Sequence, residues 1–192
     1  MIKLDHETHI YSDGDKIIKS VSQLLDESGH VDKRFYTKDG CDRGSAVHDG
    51  TVAIDEGVMS SEDFKDSEIF PYLVVYEKFL IDFKPKWAMI EKLVYCKQLN
   101  YAGTLDRAGN VGSSDFIVDI KSGGASFWHG LQLNAYDIGM NQNNHKRILF
   151  LRKDATYRLV DSYKGNNFND SMYRDYWIAI AKRNYYDEVY LK

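Results

Sequence analysis

Residues 101–121 read YAGTLDRAGNVGSSDFIVDIK. Segments 101–109 and 115–121 carry strand-type residues, and Asn110-Val111-Gly112-Ser113-Ser114 between them has the composition of a turn. A hairpin centred near Gly112 and Ser113 sets Asp106 opposite Asp119 and Thr104 opposite Lys121. Side chains two apart on a strand share a face, so Asp119 and Lys121 point one way and Ile120 the other. Directly opposed like charges repel. A hard divalent cation, Mg²⁺ or Mn²⁺, is the simplest way to offset that repulsion, because such ions take carboxylate, carbonyl and water oxygens. A register slip of one residue would turn one carboxylate to the wrong face, so the position of the turn decides the matter.

Working outward, residues 9–12 and 16–19 flank Asp13-Gly14 as a second hairpin. Ser20-Val21-Ser22-Gln23-Leu24-Leu25 opens a short helix, with Ser20 or Ser22 as its cap. Val47, Gly50 or Thr51, Ile54 and Val58 recur at helical spacing over 42–57, with His48 one position off the stripe. Leu73, Tyr76 and Leu80 mark a helix over 71–82, with Pro71 near its start. A strand follows over 89–98. Residues 127–140 return to helical spacing, with Leu131, Ala135 and Ile138 on one face and Gln132 and Tyr136 on another. Strands over 146–152 and 156–162 flank a turn at Asp154. A last helix over 169–186 is capped by Asn169 or Asp170, with Tyr176 and Ile180 on its apolar side. The expectation is one α/β (α+β) domain over 1–192, mainly helical over 1–88, with a sheet core and C-terminal helix over 89–192.

The 192 residues suffice for one full core, and 43% hydrophobic with 28% charged residues is ordinary globular composition. A net charge of −4 argues against coating nucleic acid by bulk charge. The halves differ: residues 1–90 carry 11 Lys and Arg against 18 Asp and Glu, whereas 91–192 carry 14 against 11. The Asp119–Lys121 segment lies in the more basic half, which suits a polyanionic ligand. Cys41 and Cys96 form no CxxC pair and read as reduced thiols. No apolar run is long enough for a membrane span and no signal-peptide core is visible, so a cytoplasmic protein is expected.

Gly103-Thr104-Leu105-Asp106, then Val118-Asp119-Ile120-Lys121-Ser122-Gly123, then Leu131-Gln132-Leu133-Asn134-Ala135-Tyr136 resemble the PD-(D/E)XK nuclease superfamily. The likeness is to its RecB-like branch, which includes CRISPR-associated and phage recombination exonucleases. Arg43-Gly44-Ser45-Ala46-Val47-His48 is similar to the histidine-bearing helix of that branch. Asp13-Gly14 through Leu24-Leu25 looks like the start of phage-encoded members. These pieces cover residues 11–136.

The resemblance implies a restriction-endonuclease-like core, a central mixed sheet flanked by helices with an N-terminal helical segment. It implies metal binding by His48, Asp106, Asp119 and the Ile120 carbonyl, with Asp106 and Asp119 also catalytic and Lys121 as catalytic lysine. Gln132 and Tyr136 match a trailing QxxxY element that organises the site, and Glu91 is an additional acidic group with no tight motif around it. Members with an iron–sulfur cluster use four cysteines, so two cysteines place the chain with cluster-free relatives. One or two Mg²⁺ or Mn²⁺ ions would be the only cofactors.

The expected activity is metal-dependent hydrolysis of DNA phosphodiesters, by an exonuclease of phage or mobile-element recombination or repair. The substrate would be double- or single-stranded DNA with a free end. A homo-oligomer and a recombination partner protein fit the same picture, in a bacterial host or encoded by a phage or prophage, without a membrane. Three alternatives stand beside it: an endonuclease or resolvase on the same scaffold, a non-catalytic nucleic-acid-binding module that keeps the fold, and an unrelated enzyme with a coincidental DxK. Each residue also has a plainer reading. Asp106 suits a turn or edge strand, and Asp119 a simple ion pair with Lys121 or an arginine. His48 suits an exposed helix position, and Gln132 with Tyr136 a solvated helix face. The clusters Lys146-Arg147, Arg152-Lys153 and Lys182-Arg183 read as solvated faces that are also able to meet a DNA backbone.

Overall fold

The hairpin at residues 101–121 forms in the expected register. In this computed structural model, which describes residues 1–112, 114–162 and 169–190, β5 (Tyr101–Val111) pairs antiparallel with β6 (Ser114–Lys121). The rungs run from Val111↔Ser114 to Arg107↔Val118, and Gly112 takes the turn at φ +66°. That left-handed backbone carries no Cβ penalty at glycine.

The other elements in chain order are β1 (Ile2–Asp5), β2 (Ile10–Asp13), β3 (Lys16–Ile18), α1 (Val21–Glu27), α2 (Lys38–Asp55), α3 (Phe70–Phe83) and β4 (Lys86–Cys96). After the hairpin come α4 (Trp128–Gly139), β7 (His145–Leu151), β8 (Tyr157–Asp161) and α5 (Asp170–Tyr190). The fold is α+β. Its main sheet has the order β4-β5-β6-β7-β8, mixed because β6 and β7 run parallel while the other neighbours are antiparallel. A parallel pair needs a crossover, and α4 supplies it.

The two faces of β6 show why the strand is buried on both sides. Ile117 joins Leu131, Leu133 and Ala135 of α4 and Tyr173 and Trp177 of α5 in one apolar cluster. Phe116, Val118 and Ile120 join Val47 of α2 and Leu73, Tyr76 and Phe79 of α3 in another. Ile120 therefore faces away from Asp119 and Lys121, as the period of two requires.

The N-terminal part carries α1, α2 and α3 and also a small sheet. It opens with an antiparallel sheet in the order β1-β2-β3 that rests on β4 and β5 through Tyr11, Ile18 and Ala102. β1 was not foreseen: Ile2-Lys3-Leu4-Asp5 alternates apolar and polar, but four residues are too few to stand out. Ser20 caps α1 in a full capping box with Gln23. Helix α2 starts at Lys38, four residues before the expected start at 42, capped by Thr37, and it ends before Val58, which is exposed. On α5 the buried side is Tyr173, Trp177, Ile180 and Ala181, and Tyr176 sits at the rim. Its hydroxyl meets His30 Nε2 at 2.7 Å. Lys146, read as part of a solvated basic cluster, is buried between Asp137 and Asp170, both 3.0 Å away. No helix among the described residues is long and apolar enough to cross a membrane.

β4 and β5 share an irregularity. Leu105 and Ala108, three apart, both lie in the cluster beneath α4, and so do Met89 and Val94, five apart. Strict alternation allows only even separations on one face. Besides a β-bulge in β4 between Trp87 and Met89, each strand therefore changes phase at one shared rung, β5 at Asp106 and Arg107 and β4 around Glu91. Glu91 takes φ +43°, and it would sit opposite Asp106 between the rungs Ile90↔Arg107 and Lys92↔Leu105. On the other side of β5 the ladder to β6 ends at Arg107↔Val118, one rung short of Asp106 and Asp119.

Candidate active site

Where β5 and β6 part, side chains from three elements converge. His48 on α2, Glu91 on β4 and Asp106 on β5 bring one ligand atom each to within 4.8 Å of one another. His48 Nδ1 lies 3.7 Å from Glu91 Oε1 and 3.6 Å from Asp106 Oδ2. Its other nitrogen, Nε2, is 2.8 Å from the Ile120 carbonyl oxygen. A carbonyl only accepts, so Nε2 carries the hydrogen and donates it. Nδ1 is then left facing two carboxylates. A neutral imidazole presents a lone pair there, so the three groups together need a proton or a cation.

The protonation states follow from that crowding. Burial alone pushes His48 down, but Asp106 and Glu91 outweigh it and raise its pKa to about 8. Asp106, buried in the strand gap, accepts the Ile120 N–H at 2.7 Å through Oδ2. This bond takes the place of the missing rung to β6.

Asp119 stands beside this trio rather than in it. Its Oδ1 accepts from Lys121 Nζ at 2.7 Å, and its Oδ2 is buried with no hydrogen-bond partner among the described residues. Burial raises its pKa to about 6; Lys121 works against that shift and Asp106 adds to it. Burial works to lower the pKa of Lys121, yet the Asp119 and Asp106 carboxylates hold it above its ordinary value. Lys121 is therefore an ammonium at neutral pH. It also stands over the Trp128 ring, 5.7 Å from its centre.

Gln132 and Tyr136 are not a solvated face. Both are buried, and Gln132 Nε2 donates to Tyr136 Oη at 3.0 Å, one helical turn away. The Gln132 carbonyl oxygen has no partner among the described residues. Tyr136 lies against Gly103, where a Cβ would come within 2.6 Å of its ring. Burial keeps the Tyr136 phenol neutral. His48, Glu91, Gln132 and Tyr136 line a cavity of about 910 Å³, whose further walls include Tyr11, Ser20, Val21, Thr104 and Lys3, His6 and His9 of the N-terminal sheet.

The structure thus brings His48, Glu91, Asp106, the Ile120 carbonyl, Asp119, Lys121, Gln132 and Tyr136 into one region. It differs from the expected ligand set in three respects. Glu91 joins His48 and Asp106 in the tightest group, while Asp119 is occupied on one oxygen by Lys121. The Ile120 carbonyl meets His48. The donor set fits a hard divalent cation: one imidazole nitrogen, the crowded carboxylates of Glu91 and Asp106, and an orphaned carboxylate oxygen on Asp119.

Sequence reasoning passed over the residues behind the site. Arg107 is fully buried, and its Nε donates to Asp55 Oδ2 at 2.6 Å and its Nη1 to Glu91 Oε1 at 2.9 Å. Tyr11 Oη and Thr104 Oγ1 form a hydrogen bond of 2.8 Å that ties the N-terminal sheet to β5. An arginine directly after Asp106, in a strand that carries no other basic residue, was the one available signal. No protein-family model matches the chain, and no curated protein does.

Proposed function

We propose that this chain is a Mg²⁺- or Mn²⁺-dependent DNA nuclease built on a restriction-endonuclease-like core, acting as an exonuclease in phage or mobile-element recombination or repair. The observation that carries the reading is the meeting of His48, Glu91 and Asp106 beside the Asp119–Lys121 pair, where two strands part next to a cavity. The order of the three sequence motifs, and their similarity to RecB-like nucleases, supports the same reading.

His48, Glu91 and Asp106 would hold the cation, with Asp119 completing the acidic surroundings. When bound, such an ion supplies Lewis acidity, easing ionisation of water and offsetting charge that develops on phosphoryl oxygens. In hydrolysis the oxygen of water bonds to phosphorus and the bond to one sugar oxygen breaks; the water gives a proton up to solvent and the departing sugar oxygen takes one from solvent, leaving a hydroxyl. Lys121, as an ammonium, is suited to orient that water or to counter charge on the phosphorus centre. The free acceptor of Gln132, fixed by Tyr136, is suited to position a donor on the water or the sugar. All of these residues except His48 lie in the more basic half of the chain, which favours a polyanion.

The test is degradation of end-labelled linear DNA and of closed circular DNA with Mg²⁺, Mn²⁺ or a chelator. Metal-dependent loss of linear DNA is expected, abolished or nearly so in Asp119→Ala and Lys121→Ala. Cleavage of the closed circle would favour the endonuclease alternative. Equal activity in wild type and both variants would remove the assignment.

A further inference from the structure

We propose that Arg107 is the positioning residue of the metal site, a buried guanidinium that holds all three members of the His48–Glu91–Asp106 group in place. The inference rests on the nuclease reading only in so far as that group binds a divalent cation.

Each member is reached by a separate contact. Arg107 Nη1 donates to Glu91 Oε1 at 2.9 Å and to the backbone carbonyl of Asp106 at 2.8 Å. Arg107 Nη2 donates to Thr51 Oγ1 at 3.0 Å, and Thr51 Oγ1 donates in turn to the His48 carbonyl at 2.8 Å. Thr51 lies one turn beyond His48 on α2, so the relay fixes the helix turn that carries the imidazole. The remaining arm, Nε to Asp55 Oδ2 at 2.6 Å, anchors the guanidinium to the same helix, and Tyr76 Oη on α3 donates to that oxygen at 2.6 Å.

The chemistry suits arginine and not lysine. Five N–H donors in a rigid plane allow one side chain to address β4, β5 and α2 at once, and its charge persists at every working pH. Lysine has three donors on a single flexible atom and cannot span these partners. The site also needs such a brace for a structural reason. Glu91 sits in left-handed backbone and Asp106 at a phase change, so the ladder bonds that normally hold a strand residue are missing at this rung. Arg107 supplies contacts there instead. Partners that orient metal ligands typically alter metal affinity by roughly 10- to 100-fold when removed.

Calorimetric titration with Mn²⁺ tests this, on wild type, Arg107→Lys, Glu91→Gln, Asp106→Asn and Tyr101→Phe. Tyr101→Phe removes a buried hydrogen bond to the Ala135 carbonyl and serves as a destabilised control away from the site. The expected result is Mn²⁺ binding in wild type and Tyr101→Phe, weakened by roughly 10- to 100-fold in folded Arg107→Lys. Comparable loss is expected in Glu91→Gln and Asp106→Asn. Wild-type affinity in folded Arg107→Lys, with loss in Glu91→Gln and Asp106→Asn, overturns the role of Arg107 and leaves the metal site standing. No Mn²⁺ binding to wild type overturns the metal site and this inference with it. Should Arg107→Lys not fold, Thr51→Val cuts the relay to His48 alone. Weaker Mn²⁺ binding there supports the proposal, and unchanged affinity refutes it.

Discussion

Gly103→Ala is expected to damage both stability and activity through a single contact. An added Cβ would sit 2.6 Å from Tyr136 Cε1 and 3.2 Å from Val21 Cγ2. Carbon atoms pack comfortably at about 3.5–4.0 Å, so the ring must retreat by roughly 1 Å. Tyr136 is buried, and the space open to it is the cavity it lines. Moving there pulls its hydroxyl from Gln132 Nε2, now 3.0 Å away. Overpacking of this kind costs about 1–3 kcal/mol. For a chain of this length each kcal/mol lowers Tm by about 2–4 °C, which gives a fall of roughly 2–12 °C. A 1 Å displacement beside the chemistry costs about 100-fold in rate. Thermal unfolding and DNA degradation on Gly103→Ala, alone and in a Tyr136→Leu background, measure both effects. The clash predicts non-additivity: the alanine should cost less once the ring is gone. A variant with wild-type Tm and rate, or the same penalty in both backgrounds, refutes the reasoning. The contact also gives a physical reason for the glycine of one motif and the tyrosine of another to occur together.

Two further outcomes concern stability. His129 is buried on α4, where desolvation and then Lys121 push its pKa from 6.5 to about 2. Its contribution is present above pH 6.5 and lost as the pH falls, amounting to about 2 kcal/mol at pH 5. Urea unfolding at pH 7 and pH 5 should show this loss in wild type and not in His129→Gln, and equal slopes would exclude the residue as the cause. In α1, Ser20 Oγ accepts the Gln23 N–H at 3.0 Å while Gln23 Oε1 accepts the Ser20 N–H at 2.8 Å. Ser20→Ala should cost about 1 kcal/mol and Ser20→Asp much less, read by chemical denaturation. Equal loss in both would locate the cause outside the cap.

The central hairpin was legible because its signals are local. Gly112 and its neighbours specify the turn, and a period of two then assigns the faces of Asp119, Ile120 and Lys121 without tertiary information. The pairing of Gln132 with Tyr136 follows from helical spacing in the same way, although their burial does not. What stayed hidden depends on contacts distant in sequence. Glu91 was named only as an additional acidic group; its place beside His48 and Asp106 depends on β4 changing phase, and an alternating pattern read along one strand has no means of expressing such a change. Lys146 resembled a surface cation because its partners, Asp137 and Asp170, come from other elements. Arg107 sat beside a recognised carboxylate, yet its value lies in reaching α2 and β4, which only the assembled fold brings near. Val58 continued the spacing of α2, but the helix ends at Asp55 and Gly57 turns the chain at φ +69°.

The shared phase change in β4 and β5 constrains how this protein can vary. Deleting one residue from either strand near that rung would restore simple alternation on that strand while leaving its neighbour out of step, and every pairing beyond it would slip by one residue. Tolerated insertions and deletions in these two segments should therefore arrive as matched pairs, one in each strand, or be confined to the Lys97–Asn100 connection that joins them.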